Sequence, residues 1–438
     1  MSVRNPSWAR EARALAGISA AVTLTMFAQL MISGVETLIV ARLGEQKLAG
    51  VTLAISVETF VFLFCLGIVT AVTPIAADAR GRGDRHGLRI TGQQGLWVAL
   101  GVSMPGMLVL LAAWRVLAGM GGAEADSAAA YLSGAIWGLP AWLAYIAVRC
   151  LAVATGRVRV TTTIMLASVP IHAVLAWVLV RWLGVAGAGI AYSLTAYGAL
   201  GLLAVILRPA PADDFAAVFR RPYALDLARA RAIVALGTPF AFRIVLREGV
   251  LPVAALLLAP FGAAALAAHA VAAGVISLAG VFSFGFSDAA NMRVSSAAGA
   301  GTGDGARRAA WVAVLMASAV SAVVAATIAV TARPIAGWVL GDADPSAAAA
   351  LLSVAAWLLF AEGVQSAAGG ALSGLRDARG PLLMSVAGFW LLGLPLGLGL
   401  ARLTARPEAG LWWGLVVGAG VTTALYLYRL HCKFAALH

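Results

Sequence analysis

Apolar residues run along this chain in long blocks separated by short polar connectors. The first block spans 15–40. Eleven more follow at 48–74, 90–113, 130–153, 161–181, 186–207, 232–259, 263–290, 309–331, 347–373, 381–401 and 410–430. A helix needs about 20 apolar residues to cross a bilayer, whereas a membrane-barrel strand needs only about 9–11. The block lengths therefore exclude strand barrels. The block at 15–40 exceeds the apolar core of a cleaved leader, so it reads as a first span. The pattern predicts an all-α polytopic membrane protein with twelve transmembrane helices.

Composition agrees. The chain has 438 residues, of which 62% are hydrophobic and 11% charged, and its mean hydropathy is +0.93. A soluble domain carries about 25% charged residues, so a soluble fold of this size is excluded. The net charge is +12. If the N-terminus is inside, 22 of the 31 basic residues fall in inner connections and seven in outer ones. That asymmetry places both termini in the cytoplasm. It also accounts for the basic excess without a nucleic-acid partner. Cys65, Cys150 and Cys432 show neither metal nor disulfide spacing.

The longest polar connection, 208–231, divides the blocks six and six. It predicts an N-lobe over 1–207, a cytoplasmic linker over 208–231 and a C-lobe over 232–438. A constant offset of 218 pairs Gly44 with Gly262, Leu48 with Leu266, Phe64 with Phe282, Gly67 with Gly285, and Gly156 with Gly374. Repeats with an even number of spans enter the membrane from the same side, so they are parallel repeats about the membrane normal. Such repeats mark secondary transporters, with the substrate path in a central cavity.

Ionisable groups inside spans are costly and mark sites by default. In the first segment Thr25, Gln29, Ser33 and Glu36 lie on one helix face. That face lines a cavity or makes a polar helix contact. The seventh segment carries Arg243 and Arg247 on one face, with Glu248 beside them. Two neighbouring cations need anionic partners, and Glu248, Glu36 and Glu362 are the candidates. The tenth segment follows Glu362 with Gln365, Ser366, Gly369, Gly370 and Ser373 on the same face. Ser168 and His172 lie one turn apart in the fifth segment, beside Pro170. His269 reads as structural. Glu58 and Asp288 are weaker candidates that could pair or face a cavity. A protonated carboxyl is cheap to bury and an ionised one attracts a cation, so such a group can exchange a proton for substrate. No enzyme constellation, Walker loop or metal-ligand cluster appears, and the glycine-rich stretch 299–305 reads as a loop.

In order and spacing, three segments resemble the multidrug and toxic compound extrusion (MATE) family, especially its bacterial NorM-type branch. They are MFAQLMISGVETLIVARLGEQKLAGV (26–51), LGTPFAFRIVLREGVLPVAALLLAPFG (236–262) and FAEGVQSAAGGALSGLRDARGPL (360–382), and the inner-loop GRGD (81–84) fits as well. Glu36 and Glu362 stand where that family usually has Asp, and Glu248 stands at its Glu. The resemblance implies a non-enzymatic efflux antiporter of the bacterial inner membrane. It would export organic cations or amphiphiles in exchange for H⁺ or Na⁺ by alternating access, with H⁺ favoured and no cofactor beyond the coupling ion. The expected partners are a small-molecule substrate and the lipid bilayer, and the expected state is a monomer. The implied coupling and substrate residues are Glu36, Glu248, Glu362, Gln29, Ser33, Gln365, Ser168 and His172. Arg243 and Arg247 depart from the family pattern, as do Ser168 and His172. The two arginines favour an anionic or zwitterionic substrate. They also lend support to a second reading, a flippase for lipid-linked saccharides.

Overall fold

A computed structural model describes residues 8–207, 225–341 and 344–436. Among them, twelve helical spans are long and apolar enough to cross a membrane. They are α1 (Trp8–Ala41), α2 (Glu45–Gly81), α3 (Arg85–Met120), α4 (Ala123–Thr155), α5 (Val158–Leu183) and α6 (Val185–Ile206), then α7 (Leu227–Phe261), α8 (Ala263–Gly299), α9 (Gly303–Val330), α10 (Ser346–Gly374), α11 (Arg379–Leu403) and α12 (Pro407–Ala435). Each matches one expected block, and all but α6 run further into the polar residues at one or both ends. At one of these ends the sequence supplies a side-chain cap. At the start of α3, Asp84 Oδ1 accepts the Gly87 N–H at 2.7 Å. A short helix, Ala332–Leu340, lies between α9 and α10.

Several spans are interrupted. α4 narrows to a 3₁₀ turn at Ile136–Gly138, just before Pro140. α7 stops at Glu248, resumes at Val250 and ends in a 3₁₀ turn. α11 widens into a π-helix over Val386–Gly393. Such π turns are rare and cluster at functional sites.

The chain divides into two compact units, Leu24–Phe242 (the N-unit) and Met1–Thr23 with Arg243–His438 (the C-unit). This boundary differs from the expected one at 208–231. Residues 208–224 of that expected linker lie outside the described residues, and 227–231 are already helical. The units instead part inside α1 and inside α7, and packing explains why. The first half of α7 lies hard against α2. A Cβ at Gly237 would strike the Ile68 backbone, and one at Gly67 would strike Ala241. Phe64 and Phe242 meet edge to face at 5.4 Å. The start of α1 is held by α8: the Arg293 guanidinium forks onto both Glu11 carboxylate oxygens, and Gly285 leaves room for the Ser19 backbone. Leu15 is fully buried in the same cluster as Phe286 and Tyr426.

The repeat shows in both units. In the N-unit, Met104, Met107, Leu108 and Leu111 of α3 form an apolar groove of about 400 Å³ with Ser133, Ile136 and Trp137 of α4. In the C-unit, Ala322, Ala325, Ala326 and Ala329 of α9 form one of about 390 Å³ with Ser353, Ala356 and Trp357 of α10. The α3 and α9 positions differ by 218 throughout. The α4 and α10 positions differ by 220, so the repeat gains two residues between them.

Candidate functional site

The apolar spans carry a carboxyl–phenol cluster in the N-unit and an arginine–carboxylate cluster in the C-unit. In the N-unit, Glu36 of α1 and Glu58 of α2 are 1% and 5% exposed. Both meet the Tyr131 hydroxyl of α4, which lies 3.3 Å from Glu36 Oε2 and 3.5 Å from Glu58 Oε2. The Tyr192 phenol of α6 lies close to Glu58. Glu36 Oε1 has no hydrogen-bond partner. A phenol owns a single proton. That proton is either shared between the two carboxyl groups or donated to one of them, and in the second case the other carboxyl bonds the phenol oxygen only if it is itself protonated. Two ionised carboxylates here would repel each other in a dry site, with one oxygen unsolvated. The arrangement places two carboxyl groups against one phenol where α1, α2 and α4 meet.

Other expected N-unit residues lie elsewhere. Thr25 bonds Thr162 of α5 at 2.9 Å, and Gln29 and Ser33 lie half-buried on the same α1 face. Ser168 and His172 do not join the carboxylates. Ser168 donates to the Ile164 carbonyl at 2.9 Å. His172 Nδ1 lies 3.0 Å from Thr195 Oγ1. That hydroxyl donates to the Ala191 carbonyl, so it accepts from the imidazole, and His172 Nε2 is left as an acceptor with no partner. Glu58, expected to be a weak candidate for pairing with Asp288, instead joins Glu36.

In the C-unit, Arg247 of α7 bridges two carboxylates. Nη1 bonds Glu248 Oε1 at 3.0 Å and Nη2 bonds Glu362 Oε2 of α10 at 2.9 Å. Its guanidinium also lies 5.8 Å from the Phe284 ring centroid. Of the three partners proposed for the arginines, Glu248 and Glu362 serve Arg247. Glu36 Oε2 instead meets Tyr131 in the N-unit. Arg243, one turn earlier, lies over Gly369 beside the Tyr426 ring. A Cβ at Gly369 would come within 2.7 Å of Arg243 Nη1 and 3.0 Å of Tyr426 Cε2. Two small cavities adjoin here, of about 60 and about 90 Å³, sharing Arg247, Glu248 and Phe284. Arg243, Gln365, Ser366 and Ser287 line the first, and Glu362 lines the second. Gln365 Oε1 is buried without a partner.

Sequence reasoning missed Tyr131, Tyr192, Phe284 and Tyr426. A tyrosine in an apolar run looks like ordinary core, although its hydroxyl needs a partner once buried. That need was the available signal. His269, read as structural, accepts the Trp412 indole N–H at 3.1 Å. Among the described residues no group of three or more His, Cys, Asp or Glu side chains is placed to hold a metal.

The chain matches the MatE family over residues 21–178 and 239–398. It is 34% identical to the probable multidrug resistance protein NorM of Rhodopseudomonas palustris, covering 98% of this chain and 93% of that one. It is 32% identical to the protein of the same name from Bradyrhizobium diazoefficiens, covering 93% and 90%. Among solved structures it is similar to the bent form of the Vibrio cholerae MATE transporter VcmN, with a TM-score of 0.88 at 17% identity, covering 98% of each chain. It is also similar to the eukaryotic MATE transporter AtDTX14, with a TM-score of 0.86 at 20% identity, covering 99% and 100%. With twelve apolar spans in two six-helix repeats and a family match across both, this chain belongs to the MATE family of membrane transporters.

Proposed function

We propose that this protein is a proton-coupled multidrug efflux antiporter of the bacterial inner membrane, working by alternating access with both termini in the cytoplasm. The observation that carries this reading is the buried Glu36–Tyr131–Glu58 cluster. A proton on either carboxyl relieves their repulsion and completes the phenol's bonding. Loss of that proton leaves an anion that draws in water or substrate. The cluster thus has two charge states with different preferences for a dry or a wet surrounding, which is what ion-driven alternation requires. The NorM names of the relatives support export of drugs and other amphiphiles. The basic residues crowded into one set of connections support the orientation. No cofactor beyond the coupling proton is needed.

Reconstitution in proteoliposomes tests this directly, with H⁺ and Na⁺ gradients imposed separately and efflux of a fluorescent amphiphile as the readout. A pH gradient alone is expected to drive efflux, and a Na⁺ gradient alone is not. Efflux driven by Na⁺ alone reassigns the coupling ion, and efflux driven by neither gradient overturns coupled antiport.

A further inference from the structure

The two repeat-related apolar grooves take no part in the carboxylate chemistry. One, of about 400 Å³, lies between α3 and α4, and the other, of about 390 Å³, lies between α9 and α10. Neither shares a lining residue with the Arg247 cavities, and neither is lined by a charged group. Each contains one serine hydroxyl, which is spent inside its own helix. Ser133 donates to the Ala130 carbonyl and Ser353 to the Ala349 carbonyl. A polar cargo would lose its water there and find no proton to accept. The walls are open. Met104, Leu108, Trp137 and Trp357 are 60%, 66%, 62% and 60% exposed, and on apolar spans that surface meets hydrocarbon.

Length and charge narrow the occupant. Along α3 the N-unit groove runs from Met104 to Trp114, ten residues or about 15 Å. The hydrocarbon core is about 30 Å thick, so the groove is as long as one leaflet is deep. Leu108, Leu111 and Arg115 follow one another on the same α3 face. Arg115 therefore stands about 6 Å beyond Leu111, towards the end of the helix. In the C-unit Arg333 follows the lining residue Ala329 by the same four residues, in the first turn of the short helix Ala332–Leu340. Both arginines are exposed, and their numbers differ by 218, the offset of the repeat. Trp114 neighbours Arg115, and Trp338, 87% exposed, shares the short helix with Arg333. Tryptophan gathers at the membrane–water interface, so these positions lie at headgroup level.

We propose that each unit carries a binding site for an anionic phospholipid, whose phosphate meets Arg115 in the N-unit or Arg333 in the C-unit while one acyl chain fills the groove beneath. Charge complementarity selects the headgroup, and the apolar lining with its spent hydroxyls selects the chain. A guanidinium at headgroup level above a leaflet-deep groove occurs in both repeats in one register, so the ligand has a charged end and an aliphatic end in both. The sites stand whether or not a proton gradient drives efflux.

Native mass spectrometry of the purified full chain tests this, with phosphatidylglycerol and phosphatidylcholine of identical chains titrated separately. Two phosphatidylglycerols are expected to stay bound, each about fivefold more tightly than phosphatidylcholine, the scale of one basic residue near an anionic surface. Arg115→Gln and Arg333→Gln are each expected to release one of the two, and the double variant both. Ala326→Phe fills the C-unit groove from an exposed wall position and keeps Arg333. It is expected to release the same lipid as Arg333→Gln, while the lipid retained at Arg115 shows that the chain is folded. Glycerol 3-phosphate, a headgroup without chains, is expected not to compete. Equal retention of the two lipids, a lipid count unmoved by the arginine variants, a full count in Ala326→Phe, or competition by glycerol 3-phosphate would each overturn the proposal.

Discussion

The indole N–H of Trp390 donates to the Leu246 carbonyl at 3.1 Å. Trp390 sits in the π-helical turn of α11, and Leu246 lies three residues before the interruption of α7 at Gly249. One irregular helix thereby supplies the donor at the break in another, next to the Arg247 bridge. Trp390→Phe keeps most of the ring and removes the donor. Leaving a part-buried carbonyl unmet costs about 1–3 kcal/mol. The expected result is a lower Tm in detergent, and an unchanged Tm would show that another group satisfies Leu246.

Glu36→Gln imitates the protonated carboxyl and cannot release a proton. Exchange of substrate across the membrane without a gradient is expected to persist. Net efflux against a substrate gradient under a pH gradient is expected to fall at least about tenfold, the loss of one coupled charge state. Glu58→Gln is expected to do the same, because the two carboxyls share Tyr131. Normal uphill efflux in both variants would reduce the pair to a structural contact.

The Arg247–Glu362 pair makes a double-mutant cycle informative. Glu362→Gln leaves a guanidinium with one carboxylate instead of two. Full burial would cost about 3–5 kcal/mol. The Arg247 side chain is 22% exposed, so about 1–3 kcal/mol is expected, seen as a lowered unfolding midpoint. Removing Arg247 as well by Arg247→Gln is expected to recover part of that loss. Strict additivity of the two losses would mean that the bridge contributes no coupling.

Glycines predict opposite signs by position. Gly237→Ala puts a methyl into the Ile68 backbone, where overpacking costs about 1–3 kcal/mol. Gly274→Ala meets open space and gains up to about 1 kcal/mol of helix propensity. Thermal unfolding of the two variants is expected to move in opposite directions.

All twelve spans were legible because a bilayer demands some twenty apolar residues in succession, and no other local pattern produces that. The interruptions were not. Gly249 is one of 48 glycines, and the π turn around Trp390 depends on a carbonyl 144 residues away. The same split applies to the sites. Glu248 lies beside Arg247 in the chain, and Glu362 was one of very few embedded anions, so the Arg247 bridge was within reach. The union of Glu36 with Glu58 through Tyr131 was hidden, because three helices must pack before a hydroxyl on one meets carboxylates on two others. The unit boundaries were hidden for a related reason. Connector polarity reports where the chain leaves the membrane, whereas the boundaries inside α1 and α7 are set by glycine contacts such as Gly67 with Ala241.

The 218-residue register that aligns the two apolar grooves also places Arg243 and Arg247 at the positions of Thr25 and Gln29. The same two places on a helix are thus written twice, once as the neutral groups Thr25 and Gln29 and once as guanidiniums, of which Arg247 holds two carboxylates. A duplicated unit frees each copy from the other's duty. One unit can change its polar groups while the other keeps its own. Substitutions on α7 and α10 can then accumulate without disturbing the Glu36–Tyr131–Glu58 contacts of α1, α2 and α4.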